Sequence, residues 1–223
     1  MSALKPVLIF LVERLTLAGA GVAAALAAFL VLAHAVHGGE TQRFDAEVFH
    51  FFQDRQEPIV HRLMLCVSLL ASGWAISGVS LACLLVFWRK PARRWDALSL
   101  DASSLLLAAA GGQGVVYGLK ALFHRARPEA VFASLGYSFP SGHAFAAVTL
   151  YGMLAYWLAR GQERPRAVGV WGAGVLLILL IGFSRIYLGV HYASDVAAGF
   201  AAGLPWLWGC LALPSRTQSP LRV

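Results

Sequence analysis

The stretch PSGHAFAAVTLYGMLAYWL runs from Pro140 to Leu158 and joins two kinds of chemistry. From Ala144 to Leu158 it is an apolar run, suited to a helix in an apolar environment. Its head is a proline, a hydroxyl, a glycine and an imidazole: Pro140, Ser141, Gly142 and His143. Proline fits a first helical turn because it has no N–H to leave unpaired. Glycine lets the backbone come close to a ligand, serine adds a donor, and the free N–H groups of a helix start attract an anion. The stretch predicts an apolar helix that begins at an anion cradle, with His143 beside the cradle to give or take a proton.

The rest of the chain supplies the environment. Of 223 residues only 13% are charged and 59% are hydrophobic, and the mean hydropathy is +0.68. A soluble domain usually carries charge on about a quarter of its residues. This chain lacks that polar skin and reads as an integral membrane protein. Six apolar segments approach the length needed to cross roughly 30 Å of hydrocarbon as helices. They cover residues 15–36, 63–87, 103–123, 143–158, 167–187 and 192–213. The expected fold is all-α, six transmembrane helices in one bundle. No compositional break divides residues 1–223, so a single domain is expected.

Smaller patterns refine this. Between the first two segments, DAEVFHFFQDR (45–55) has apolar residues at 48, 49, 51 and 52, the pattern of a short amphipathic helix lying at the interface. Ala110, Gly114 and Gly118 recur every four residues on the third helix, and Gly199 and Gly203 on the sixth, which predicts close helix packing. Cys66, Cys83 and Cys210 all lie in apolar runs without metal-ligand spacing, and no disulfide is expected. Ala33-His34-Ala35 looks like a leader cleavage site, but the preceding run is long and Glu13-Arg14 interrupts its start, which favours a retained helix.

The net charge of +7 would suggest nucleic acid in a soluble protein. Here the arginines flank apolar segments, where they face anionic headgroups, so the partner is a bilayer and not nucleic acid. Arg89, Lys90, Arg93 and Arg94 fall after the second segment, Arg160, Arg164 and Arg166 after the fourth, Lys5 at the start and Arg216 and Arg222 in the tail. Six alternating crossings put all of these on one side. The positive-inside rule makes that side cytoplasmic, with both termini. The expected location is a bacterial inner membrane.

The remaining ionisable groups collect on the other face. Lys120, Arg125 and Arg127 end the third helix, PSGH opens the fourth, Ser184-Arg185 ends the fifth, and His191 and Asp195 open the sixth. Lys120 and Arg127 are seven residues apart and share a face if the helix continues to Pro128. His191 and Asp195 stand at i and i+4, close enough to meet. Taken singly, each cation fits a snorkelling interfacial residue and each histidine a structural one. Taken together, cations that fork around an oxyanion beside two imidazoles and a carboxylate suit a phosphoryl group. His34, His37, His50, His61 and His124 have no such company and read as structural.

KALFHRARP (Lys120–Pro128), PSGH (Pro140–His143) and SRIYLGVHYASD (Ser184–Asp195) resemble, in order and spacing, the three signature motifs of the type 2 phosphatidic acid phosphatase superfamily. The resemblance implies hydrolysis of a lipid phosphate monoester or pyrophosphate with no metal and no cofactor. It implies that His191 attacks phosphorus and forms a phosphohistidine, that Asp195 holds the His191 tautomer and stabilises its positive charge, and that His143 protonates the leaving oxygen. Lys120, Arg127, Ser141, Gly142 and Arg185 would then hold the phosphoryl oxygens. Undecaprenyl pyrophosphate, phosphatidic acid, phosphatidylglycerol phosphate and lipid A phosphates all stay open as substrates. A phosphotransferase of the same family and an anionic-lipid transporter are the alternatives.

Overall fold

The computed structural model describes residues 4–88, 104–105, 107–128 and 135–212. The basic stretch Arg89–Arg94 and the tail arginines lie outside the described residues. Eight α-helices are seen in that range: α1 (Leu4–His37), α2 (Gln42–Gln53), α3 (Pro58–Leu69), α4 (Gly73–Trp88), α5 (Gly112–Phe123), α6 (Gly142–Ala159), α7 (Arg164–Tyr187) and α8 (Ala193–Ala212). A π-helical turn, Leu107–Gly111, leads into α5.

By length and composition, three helices among the described residues can cross a membrane: α1 from Gly19, α7 and α8. The α3–α4 pair makes a fourth if counted as one span. The second segment was expected as a single helix over 63–87, and here the structure differs. It breaks at Leu70–Ser72 and bends by 47°. Small and polar residues, Ala71, Ser72 and Gly73, occupy the break, and the Ser72 hydroxyl accepts from the Ala75 N–H to start the new helix. The third segment was expected as one helix over 103–123; residues 104–105 are α-helical, a π-turn interrupts at Leu107–Gly111, and regular α-helix resumes at Gly112. A π-turn widens the backbone, and the Trp206 indole N–H donates to the Ala108 carbonyl there, at 3.4 Å.

The bundle is built around α6. It packs against both α7 and α8, and ten of its residues, from Ala144 to Ala155, are buried. α8 in turn packs on α1, and α3 on α7. Glycine makes the α6–α8 contact possible. A Cβ on Gly199 would lie 2.6 Å from the Ser141 carbonyl oxygen, and one on Gly203 would lie 2.9 Å from Val148 Cβ. Backbones approach this closely only without a side chain between them. The other stripe makes no packing seam among the described residues. A Cβ on Gly114 or Gly118 would meet nothing within 4 Å.

The loop before α6 is held from both sides. Phe139 is fully buried between Phe29 of α1, with ring centroids 6.1 Å apart, and Phe123 of α5 at 4.9 Å. With Ala33 and Ala198 these rings form a small core directly beneath the motif residues.

Candidate active site

Three loops and the helix ends beside them meet at one end of the bundle. Ser141 is the N-cap of α6, and its hydroxyl accepts from the Ala144 N–H at 3.5 Å. Pro140 therefore precedes the cap and does not occupy the first turn, as the sequence had suggested. The Ser141 N–H donates to the Asp195 carbonyl at 2.9 Å, which ties the head of α6 to the head of α8. Gly142 and His143 line a cavity of about 530 Å³, while Ser141 lies fully buried beneath them. That volume suits a small-molecule or headgroup site.

His191 and Asp195 do meet, though not as one helical face. α8 begins at Ala193, so His191 belongs to the loop before it. Its Nδ1 is 3.5 Å from Asp195 Oδ2, and the Ser138 hydroxyl bridges the two. Ser138 Oγ lies 3.2 Å from Nδ1 and donates to Asp195 Oδ2 in a short bond. With Nδ1 protonated, a chain of donation runs from His191 to Ser138 to Asp195. This leaves the Nε2 lone pair facing the cavity, where Arg127 Nη1 lies 3.2 Å away. The imidazole is almost fully buried. Burial pushes its pKa down to about 4, against the upward pull of the Asp195 hydrogen bond and charge. It is neutral at physiological pH, and in this tautomer Nε2 accepts from Arg127 Nη1.

Asp195 has no solvent exposure and is saturated with donors. Oδ2 also accepts from the Tyr192 N–H at 3.0 Å, and Oδ1 accepts from Arg125 Nη1 at 2.6 Å. Arg125 reaches a second buried carboxylate, Asp45 of α2, through Nη2 at 2.7 Å. Asp45 further accepts from the Ser194 N–H at 3.0 Å and its hydroxyl at 2.6 Å. The Arg125 guanidinium stacks 4.4 Å over the Tyr192 ring. Burial alone disfavours its charge, but Asp195 and Asp45 more than offset this, and its pKa is raised.

Three cations face the cavity. Arg185, near the end of α7, is buried. Nη1 donates to the Ser68 hydroxyl of α3 in a short bond, and Nε has no hydrogen-bond partner among the described residues. A buried guanidinium donor of this kind suits an anionic acceptor. Lys120 donates to the Tyr137 carbonyl in a short bond and approaches that of Ser138 at 3.4 Å. Arg127 donates to the Gly136 carbonyl from Nε at 2.8 Å and to the Val190 carbonyl from Nη1 at 2.9 Å. The shared helical face expected for Lys120 and Arg127 does not form. α5 ends at Phe123, and His124 turns the chain at φ 48°. A loop delivers Arg127 instead, to the same cavity.

Every sequence-predicted site residue thus lies in or directly under one site. Reading the sequence missed Ser138 and Asp45 and left Arg125 without a role. Ser138 abuts PSGH, but a lone serine carries no signal. Asp45 looked like one surface charge among several in an acidic loop. Arg125 was noted among the cations, but its partners stand 70 and 80 positions away.

Comparison with known proteins agrees with this geometry. The family model described as PAP2 superfamily matches residues 101–219. Phosphatidylglycerophosphatase B of Bacillus subtilis is 33% identical over 187 residues, covering 79% of this chain and 86% of that protein. An undecaprenyl-diphosphatase of Sulfolobus acidocaldarius is 37% identical over 71 residues, 30% of this chain and 29% of that protein. The crystal structure of a transmembrane PAP2-type phosphatidylglycerolphosphate phosphatase from Bacillus subtilis superposes with a TM-score of 0.75 at 24% identity, covering 90% of this chain and 98% of that one. The chain belongs to the PAP2 superfamily, as a membrane phosphatase.

Proposed function

We propose that the protein hydrolyses a lipid phosphate monoester or pyrophosphate through a phosphohistidine on His191, at the non-cytoplasmic face of a bacterial inner membrane. The observation that carries this reading is the convergence of Arg185, Lys120 and Arg127 on the cavity into which His191 Nε2 points. Nε2 attacks phosphorus in line with the leaving oxygen. The three cations and the Gly142 N–H take up the charge that spreads over the equatorial oxygens. His143, on the cavity wall, protonates the departing lipid alkoxide or phosphate. His143, now neutral, takes a proton from the water that attacks the phosphohistidine, and cleavage of the P–N bond releases phosphate and restores neutral His191. Asp195 stabilises the charged imidazole between the two steps. Three fixed cations supply the charge that magnesium supplies elsewhere.

In this reading the chain crosses the membrane six times. The α3–α4 pair and the π-turn with α5 each make one crossing, and α6 completes the set. α2 lies along the outer interface with Phe44 and Phe51 exposed. The named relatives act on phosphatidylglycerophosphate and undecaprenyl diphosphate. Those names support a lipid phosphate substrate, with a glycerolipid or a polyprenyl tail. The test is phosphate release by purified protein from short-chain phosphatidic acid, phosphatidylglycerol phosphate and farnesyl pyrophosphate, with and without EDTA. Release that survives the chelator supports the proposal. Absence of release from all three contradicts it.

A further inference from the structure

We infer that Gln113 reads an ester carbonyl of the substrate, which makes a diacylglycerol phosphate, and not a polyprenyl phosphate, the preferred lipid. The inference rests on the reading of the cavity as a lipid phosphate site.

The cavity continues inward along α5. Lys120, Val116 and Gln113 all line it, and their spacing puts them on one helical face. From Lys120 to Gln113 this wall descends about 10 Å at 1.5 Å per residue. At the upper end stand Lys120, Arg127 and the imidazoles. Near Gln113 the wall is apolar: Val116 stands one turn along α5, and Ile76 from α4 borders the same space. Gln113 also borders a small void between Ile76, Gly112 and Phe145, so it stands at the inner wall of the site.

Gln113 is half-buried and, among the described residues, makes no hydrogen bond. An amide carries two donors and two acceptor sites. Leaving them unpaired at hydrocarbon depth is costly, and polar groups held there mark a substrate path by default. The backbone aims this side chain firmly. The π-turn ends one residue before α5, and π-turns inside helices concentrate at functional sites. The backbone beside it packs closely: a Cβ on Gly111 of the π-turn would lie 2.8 Å from the Trp206 ring, and one on Gly112, the first residue of α5, 2.8 Å from the Phe145 ring.

The depth selects the ligand. In a diacylglycerol phosphate the glycerol backbone sets the ester carbonyls roughly 7 Å from phosphorus at ordinary bond lengths. A hydrogen bond of about 3 Å closes the remaining distance to the Gln113 amide. In a polyprenyl phosphate or pyrophosphate the same depth holds only methyl, methylene and vinyl groups, which would leave the amide unpaired. A site built to bond a carbonyl rejects an analogue without one.

The experiment compares the dioctanoyl ester of glycerol phosphate with its dioctyl ether, which keeps shape and phosphate but lacks both carbonyls. The wild-type enzyme should turn over the ester about tenfold better in kcat/KM, the worth of one hydrogen bond plus a stranded amide. Gln113→Leu should bring the ester-to-ether ratio close to one. Gln113→Met serves if the leucine variant does not fold. Gln113→Asn, with a shorter amide, should restore part of the ratio. A wild-type ratio of one overturns the inference, as does a ratio unchanged in the leucine or methionine variant. A larger loss on farnesyl pyrophosphate than on the ester also overturns it, because the amide would then bind the second phosphate. Failure of the wild-type enzyme to hydrolyse any of the three lipids would instead contradict the phosphatase reading itself.

Discussion

Arg125 Nη2 lies 2.7 Å from Asp45 Oδ2, joining the loop after α5 to a helix 80 residues earlier in the chain. The same guanidinium holds the Asp195 carboxylate at 2.6 Å. α2 therefore braces the carboxylate beside the proposed nucleophile. It also grips the end of α7, where Gln53 Nε2 donates to the Tyr187 carbonyl at 3.3 Å, joined from the following loop by Gln56 Nε2 at 2.9 Å.

Asp45→Ala leaves Arg125 paired with Asp195 but strips Arg125 Nη2 and the Ser194 N–H of their acceptor, and should destabilise the protein by about 1–3 kcal/mol. Arg125→Lys should also be damaging, because an ammonium cannot fork between two carboxylates. Thermal unfolding in detergent measures both. A variant pair as stable as wild type would reduce the Arg125 network to a surface ornament.

Ser138→Ala removes the hydroxyl between His191 and Asp195 without touching either side chain. It should lower kcat by about tenfold or more, equivalent to about 1.4 kcal/mol of lost transition-state stabilisation, while KM changes little. An unchanged kcat would mean that the 3.5 Å approach of Nδ1 to Oδ2 suffices on its own.

The buried His191 imidazole, with its pKa near 4 instead of the usual value of about 6.5, sets a pH dependence. The unfolded chain takes up a proton that the folded protein refuses. Stability should fall as pH drops from about 6.5 toward 4 and should not change for this reason above 6.5. Histidine nitrogen NMR, with the His191 signal assigned by its loss in His191→Ala, should show a neutral ring from pH 5 to 8. Titration near pH 6.5 would contradict the burial argument.

Gly199→Ala places a Cβ 2.6 Å from the Ser141 carbonyl oxygen and 2.8 Å from Ala144 Cβ. Backbone must yield, and what yields carries Gly142 and His143. Overpacking of this kind costs about 1–3 kcal/mol. A shift of about 1 Å at a reacting group costs about a hundredfold in rate. Gly114→Ala meets nothing within 4 Å and should be neutral or stabilising by about 0.5–1 kcal/mol. Equal behaviour of the two variants would remove the α6–α8 contact as the support of the cradle.

Much of this site was legible in the sequence because the chemistry needs scarce residue types at fixed spacings. A lysine, two arginines, two histidines and an aspartate stand out in an apolar chain. Their supports do not stand out. Ser138 and Asp45 are ordinary residues whose meaning comes from tertiary neighbours far along the chain. The apolar run length that located the segments ended the third one at Phe123, where α5 ends, but the shared face of Lys120 and Arg127 needed the helix to continue to Pro128, and His124 leaves it through a left-handed conformation that glycine or asparagine more often signals. The same run length passed through the Ala71–Gly73 break, because its residues are small but not polar enough to interrupt a hydropathy run. Both misreadings matter to function. The first is how Arg127 comes to point at His191, and the second places Ala71 and Gly73 on the cavity wall.

The central claim is that His191 becomes covalently phosphorylated, and rapid acid-free quenching with radiolabelled short-chain phosphatidic acid tests it most directly. Within the first turnover, label from the phosphoryl group should appear in the protein, survive alkali, be lost in acid and map to the peptide carrying His191. It should be absent from His191→Ala, which should also have lost essentially all turnover. Label on another residue, or His191→Ala turning over at the wild-type rate, would contradict the account.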